Sequence, residues 1–273
     1  MVNVPHTNLF TQVDRTKDPD FFIRFMDEAQ KPEGIRASKQ LMLERAPLAP
    51  GAAVLEVGCG PGTDLLDVAG IVGPSGRLLG VDASEVMIAE ARRRTAALGV
   101  AVTFEHGDVQ ALSFGDGTFD VCRAQRLLEH VPDPARALAE MARVTRPGGR
   151  VVVFDFDWDT LIIDHPAKAT TRTIVLSYSD AITNGWIGRQ LPRLLQEQGL
   201  NVLPSIPCRS SSTTRCSSSS SAVTSRGFRR TERSPPRRCV GGGRTCKALT
   251  SAERCWSASR PSSLSARGND DWR

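Results

Sequence analysis

The nine residues Val54-Leu55-Glu56-Val57-Gly58-Cys59-Gly60-Pro61-Gly62 constrain this chain more than any other stretch. A short apolar run leads into three glycines at alternate positions, and a helix-like run (Leu65, Leu66, Val68, Ala69) follows. Glycine is needed where the main chain turns with positive φ or where a ligand must touch the backbone. A buried strand, a tight turn and a helix start aim N–H groups and the positive end of a helix at one point. The pattern predicts a nucleotide-type site in a doubly wound α/β sheet.

From Ala52 the chain alternates strand and helix, as a mostly parallel, Rossmann-like sheet requires. Strands are predicted at Ala53–Val57, Arg77–Val81, Ala101–Glu105, Phe119–Cys122 and Arg150–Phe154. Ser84 caps a helix over Glu85–Leu98 and Gly99 stops it. Residues 1–50 read as an amphipathic helical cap, either a packing flange or a lid whose Phe10 and Phe21 cover a ligand. Residues 51–204 form the α/β domain; its last part, from about residue 166, holds two helices expected to close over a substrate.

Residues 205–273 break the pattern, with 17 Ser and 13 Arg in 69 residues and no sustained period. Such a segment buries too little apolar surface to offset the entropy of ordering it. It reads as a disordered basic arm, a linker, or an out-of-frame product of a GC-rich gene, the last being favoured. On that reading the sheet is incomplete at its C-terminal end, with the fifth strand an exposed apolar edge. Charge divides at the same place. The tail carries net +10 and residues 1–204 net −5, so the whole-chain +5 gives no nucleic-acid footprint for the domain. No run of about 20 apolar residues is present and the N-terminus lacks a secretory profile, so the expectation is a cytoplasmic protein. The seven cysteines match no metal-binding spacing.

In such sheets ligands lie at the carboxyl ends of the strands, where Gly58–Gly62, Asp82, Asp108, Arg123–Arg126 and Asp155–Asp159 converge. Asp82, 20 residues past Gly62, suits ribose hydroxyls. Asp108 suits an adenine amino group, with Val109 on the ring. Two features argue against a dinucleotide. The sixth position of G-x-G-x-x-G is Thr63, and Glu56 would set an anion beside a pyrophosphate. A carboxylate at that depth fits a ligand with a cationic end, and S-adenosylmethionine has one.

Glu56-Val57-Gly58-Cys59-Gly60-Pro61-Gly62, Asp82, Asp108-Val109, Leu128-Glu129-His130-Val131 and Pro147-Gly148-Gly149 together resemble the class I S-adenosylmethionine-dependent methyltransferases. Similarity is greatest to the small-molecule branch that includes ubiquinone and menaquinone C-methyltransferases, over roughly residues 30–204. The resemblance implies that Gly58, Gly60 and Gly62 approach the methionine part of the cofactor. It implies that Asp82 holds the ribose, Met87 borders the adenine, Asp108 and Val109 fix its edge, and Arg123-Ala124-Gln125 touch the methionine end. Arg123 and Arg126 depart from the small or apolar residues usual there. The activity implied is methyl transfer to a small organic metabolite, natural-product or quinone-like. The alternatives are a cofactor-binding protein of this fold without transferase activity, or an NAD(P)-dependent oxidoreductase.

His130 is the candidate general base, with ordering of the Val131-Pro132 turn as its alternative role. His165 is the second candidate, or else a neighbour of a helix cap. Trp158 and Trp186 line an acceptor pocket or pack in the core.

Overall fold

A computed structural model describes residues 7–99, 101–203, 206–212 and 247–260. The 3-10 helix Thr7–Arg15 and helices α1 (Pro19–Ala29) and α2 (Glu33–Arg45) precede the sheet. Strands β1 (Ala53–Val57), β2 (Arg77–Asp82), β3 (Thr103–His106) and β4 (Phe119–Gln125) then alternate with α3 (Thr63–Val72), α4 (Glu85–Leu98) and α5 (Pro134–Val144). The long β5 (Thr145–Asp164) comes after β4 and α5, and α6 (Lys168–Ala181) and α7 (Ile187–Glu197) come next. The described part closes with β6 (Asn201–Val202), β7 (Ile206–Ser212) and β8 (Lys247–Ser259).

Sheet order is β3-β2-β1-β4-β5-β8-β6, with β7 paired to β8 off that path. Strands β1 to β5 run parallel, as the strand–helix alternation demands. Side chains leave a strand on alternate faces. Leu55 and Val57 accordingly join the layer with Leu138, Met141, Leu191 and Leu195, while Val54 packs with Met42, Val68 and Val72. Each such fully buried aliphatic side chain stabilises the fold by about 1.5–3 kcal/mol. The helix starts obey local chemistry: Asp18, Ser84 and Asp133 each accept a backbone N–H from the first turn, at 3.1, 3.2 and 3.0 Å.

One expectation is corrected here. The sheet is not left open beside β5. Strand β8 runs antiparallel along it from Arg150↔Ser259 to Asp164↔Lys247, and β6 pairs to the far side of β8. The physical reason is that the edge of a buried apolar strand needs main-chain partners, and those need no apolar side chains. A Ser- and Arg-rich average over 69 residues hides a 13-residue strand. The expectation of a disordered or out-of-frame tail also covers residues 205, 213–246 and 261–273, which lie outside the described residues. Among the described residues no helix is long and apolar enough to cross a membrane.

The turn after β1 is left-handed at all three glycines, Gly58, Gly60 and Gly62. Gly62 has φ +75°, and a Cβ there would lie 3.0 Å from Ala91 Cβ and Phe104 Cζ. A Gly62→Ala change is expected to destabilise the protein by about 2 kcal/mol, combining left-handed strain with this contact. The midpoint of urea unfolding reads the loss, and an unchanged midpoint would contradict the assigned turn.

Candidate active site

The carboxyl ends of β1, β2 and β4 and the loop after β3 enclose a cavity of about 300 Å³. Its walls include Gly58, Gly60, Asp82, Met87, Asp108, Val109 and His130, with Phe10 and Met26 from the N-terminal cap. A smaller pocket adjoins it, lined by Glu56, Cys59, Thr63, Asp64 and Gln125. Gly58, Met26 and Arg126 line both.

Asp82 ends β2 and is fixed by the turn itself. The Gly60 N–H donates to its Oδ2 at 2.8 Å and the Ser84 N–H to its Oδ1 at 2.9 Å. Burial raises the Asp82 carboxyl above the usual range, while these two N–H groups pull it back. Asp108 accepts the Gln110 N–H at 2.8 Å and the Gln110 side-chain amide at 3.2 Å. Gln110 in turn accepts the Asp133 N–H at 3.0 Å, tying the loop after β3 to the start of α5. Sequence reasoning missed Gln110 because a lone glutamine carries no pattern.

Glu56 is 3 % exposed, and its Oε2 has no hydrogen-bond partner among the described residues. Burial pushes its carboxyl up to about 7, against the pull of Arg123, whose Nε lies 3.6 Å away. Gln125 leaves both amide atoms buried and unpartnered. Three orphaned polar atoms on two residues that line one small pocket are costly unless a ligand or water meets them.

His130 stacks on Phe10, with ring centroids 5.1 Å apart. Its Nε2 lies 3.4 Å from Glu129 Oε1, and its Nδ1 is buried without a partner among the described residues. Burial lowers its pKa, so the ring is neutral at neutral pH. Behind it, Glu129 accepts the Trp158 indole N–H, and Asp155 accepts the Leu128 and Glu129 N–H groups at 3.1 and 3.3 Å. Asn184 donates to the Leu128 and Val131 carbonyls at 2.8 and 2.7 Å. The loop that carries His130 is therefore held from two sides.

Several residues expected at the site stand elsewhere. His165 lines neither pocket; its Nδ1 accepts the Ala167 N–H at 3.1 Å beside the start of α6. A strand's end fixes where a residue lies along the sheet but not the direction in which the chain leaves it. Gly62 serves the turn and the packing against Phe104 rather than either pocket wall. Arg123 is buried under Glu56 and lines neither pocket. Of the two tryptophans, Trp158 packs on Phe156 and Tyr178, and Trp186 is 50 % exposed under Arg189. Within the cap, Phe10 covers the cavity, whereas Phe21 faces solvent. The cap is tied down by Asp14, which accepts the Ser84 hydroxyl and the Glu85 N–H (2.8 Å) at the start of α4.

Residues 54–149 match the family model described as a methyltransferase domain. This segment is a class I methyltransferase domain. A 37.1 kDa Streptomyces fradiae protein encoded in transposon TN4556 is 44 % identical over 189 residues, covering 69 % of this chain and 54 % of that one. The demethylmenaquinone methyltransferase of Bacillus cytotoxicus is 39 % identical over 114 residues, 41 % of this chain and 48 % of its own length. This chain thus spans about half the length of these relatives. A solved Bacillus halodurans structure superposes with a TM-score of 0.59 at 17 % identity, over 82 % of this chain and 99 % of that one. This last likeness bears on the methyltransferase fold alone.

Proposed function

We propose that this protein binds S-adenosylmethionine and transfers its methyl group to a small, apolar or aromatic metabolite in the cytoplasm. The observation that carries the proposal is the small pocket at the Glu56 end. An acid with an unpartnered oxygen and an unpartnered amide suit the ammonium and carboxylate of an amino acid, and an anion there opposes a pyrophosphate. Asp82 supplies acceptors for the ribose hydroxyls, Asp108 and Val109 border the adenine, and Met87 packs beside it. When bound, the sulfonium supplies an activated methyl group and a good leaving group. The protein's task is then alignment, for which effective molarities reach about 10⁵–10⁸ M. His130 Nδ1 takes the proton from an acceptor whose reacting group must lose one.

Calorimetric titration of the full chain with S-adenosylhomocysteine and, separately, NAD and NADP tests the cofactor. Binding of the first alone is expected, and binding of a dinucleotide alone would overturn the reading. Transfer of label from methyl-labelled S-adenosylmethionine into an extract of candidate metabolites tests the activity.

Glu56 gives a pH prediction. Only its ionised form attracts the ligand's ammonium group, and its carboxyl titrates at about 7. Affinity for S-adenosylhomocysteine is expected to rise about tenfold from pH 6 to pH 8, as the proton leaves. The rise should vanish in Glu56→Gln.

A further inference from the structure

Arg126 is the one non-glycine residue with positive φ among the described residues, at +52°. This conformation costs an ordinary side chain about 1–2 kcal/mol. It is pinned by the Arg126 N–H, which donates to the Phe154 carbonyl at 2.7 Å. Its effect is to set the side chain at the junction of the two pockets.

Among the described residues the guanidinium there forms no ion pair and its Nε is buried and unpartnered, while its charge acts at longer range on buried Asp155. The acids around it have other hydrogen-bond partners. Asp155 holds the Leu128 and Glu129 amides, Glu129 holds the Trp158 indole and faces His130, and Asp82 holds Gly60 and Ser84. Glu56 lies against Arg123. The cavity wall around Arg126 is otherwise largely apolar, including Val13, Val81, Val109, Leu127 and Val131. A half-buried guanidinium beside apolar groups, with its Nε shut off from water, gains from an anion that joins it.

The cofactor does not relieve this. In the proposed function, on which this inference rests, its amino-acid end is a zwitterion met by Glu56 and Gln125, and its sulfonium adds a second positive charge at the junction. A neutral acceptor would leave two cations side by side at the junction. An anionic acceptor neutralises them.

We propose that Arg126 reads a carboxylate on the acceptor, so that this protein takes apolar small molecules bearing a carboxylic acid. The geometry of a guanidinium fork matches a carboxylate in two parallel hydrogen bonds.

The test is calorimetry on the full chain, with and without S-adenosylhomocysteine, using matched probes: 1-naphthoate against 1-naphthamide, and decanoate against decanamide. Wild type is expected to bind the acids about tenfold or more tightly than the amides. Arg126→Asn and Arg126→Gly both tolerate positive φ, and their thermal midpoints report folding. In both, the acid-to-amide ratio should fall to within about threefold, while Arg126→Lys keeps most of it. Equal binding of acid and amide by wild type, failure of either pair to bind, or a ratio untouched by the substitutions would overturn the proposal. A loss of S-adenosylhomocysteine affinity with an unchanged ratio would also overturn it, by assigning Arg126 to the cofactor's own carboxylate. An acid preference that persists in a wild-type protein unable to bind S-adenosylhomocysteine would sink the proposed function and leave the anion site standing.

Discussion

Asp82→Ala is expected to weaken S-adenosylhomocysteine binding by about 10²–10³-fold. In the proposed function the carboxylate offers the ribose two charge-assisted hydrogen bonds, together contributing about 3–4 kcal/mol. Its removal also frees the Gly60 and Ser84 N–H groups, which fix the turn against β2. Asp82→Asn separates the two effects, because it keeps an acceptor for one N–H and forfeits the charge. It should fall between wild type and alanine in a calorimetric titration. Full affinity in the alanine variant would remove Asp82 from the site.

His130→Asn is expected to lower kcat by about 10²–10³-fold for acceptors that must lose a proton, with cofactor affinity little changed. The neutral ring is the active form. Because burial lowers its pKa, activity should hold as pH falls through the ordinary histidine value and decline only below it. Single-turnover rates across pH read this directly. If the variant raises KM and spares kcat, His130 is a wall of the cavity that packs against Phe10 and takes no proton.

Strands one to five and the turn at Gly58–Gly62 were legible because each is a local statement. Alternating apolar runs, capping residues and glycines carry their geometry within a few positions, and Asp82 inherits its place from the strand it ends. What joins elements distant in sequence was not legible. Nothing local to Phe10 places it on His130, and nothing in Gln110 announces its link from Asp108 to Asp133. Arg126 stood out in sequence as an odd residue for its position, but its positive φ and its lack of an ion pair among the described residues are properties of the folded chain. His165 misled because nothing in its sequence neighbourhood separates a pocket wall from the local bond it makes to Ala167 before α6. Strand β8 escaped notice because its contribution to the sheet is main-chain pairing, to which composition is blind.

Met26 touches both compartments from α1, and a side chain on Gly60 would run into its terminal methyl at 2.6 Å. In the proposed function one thioether thus roofs both the acceptor's chamber and the recess for the amino-acid tail, so a change of residue at position 26 would reshape both compartments at once.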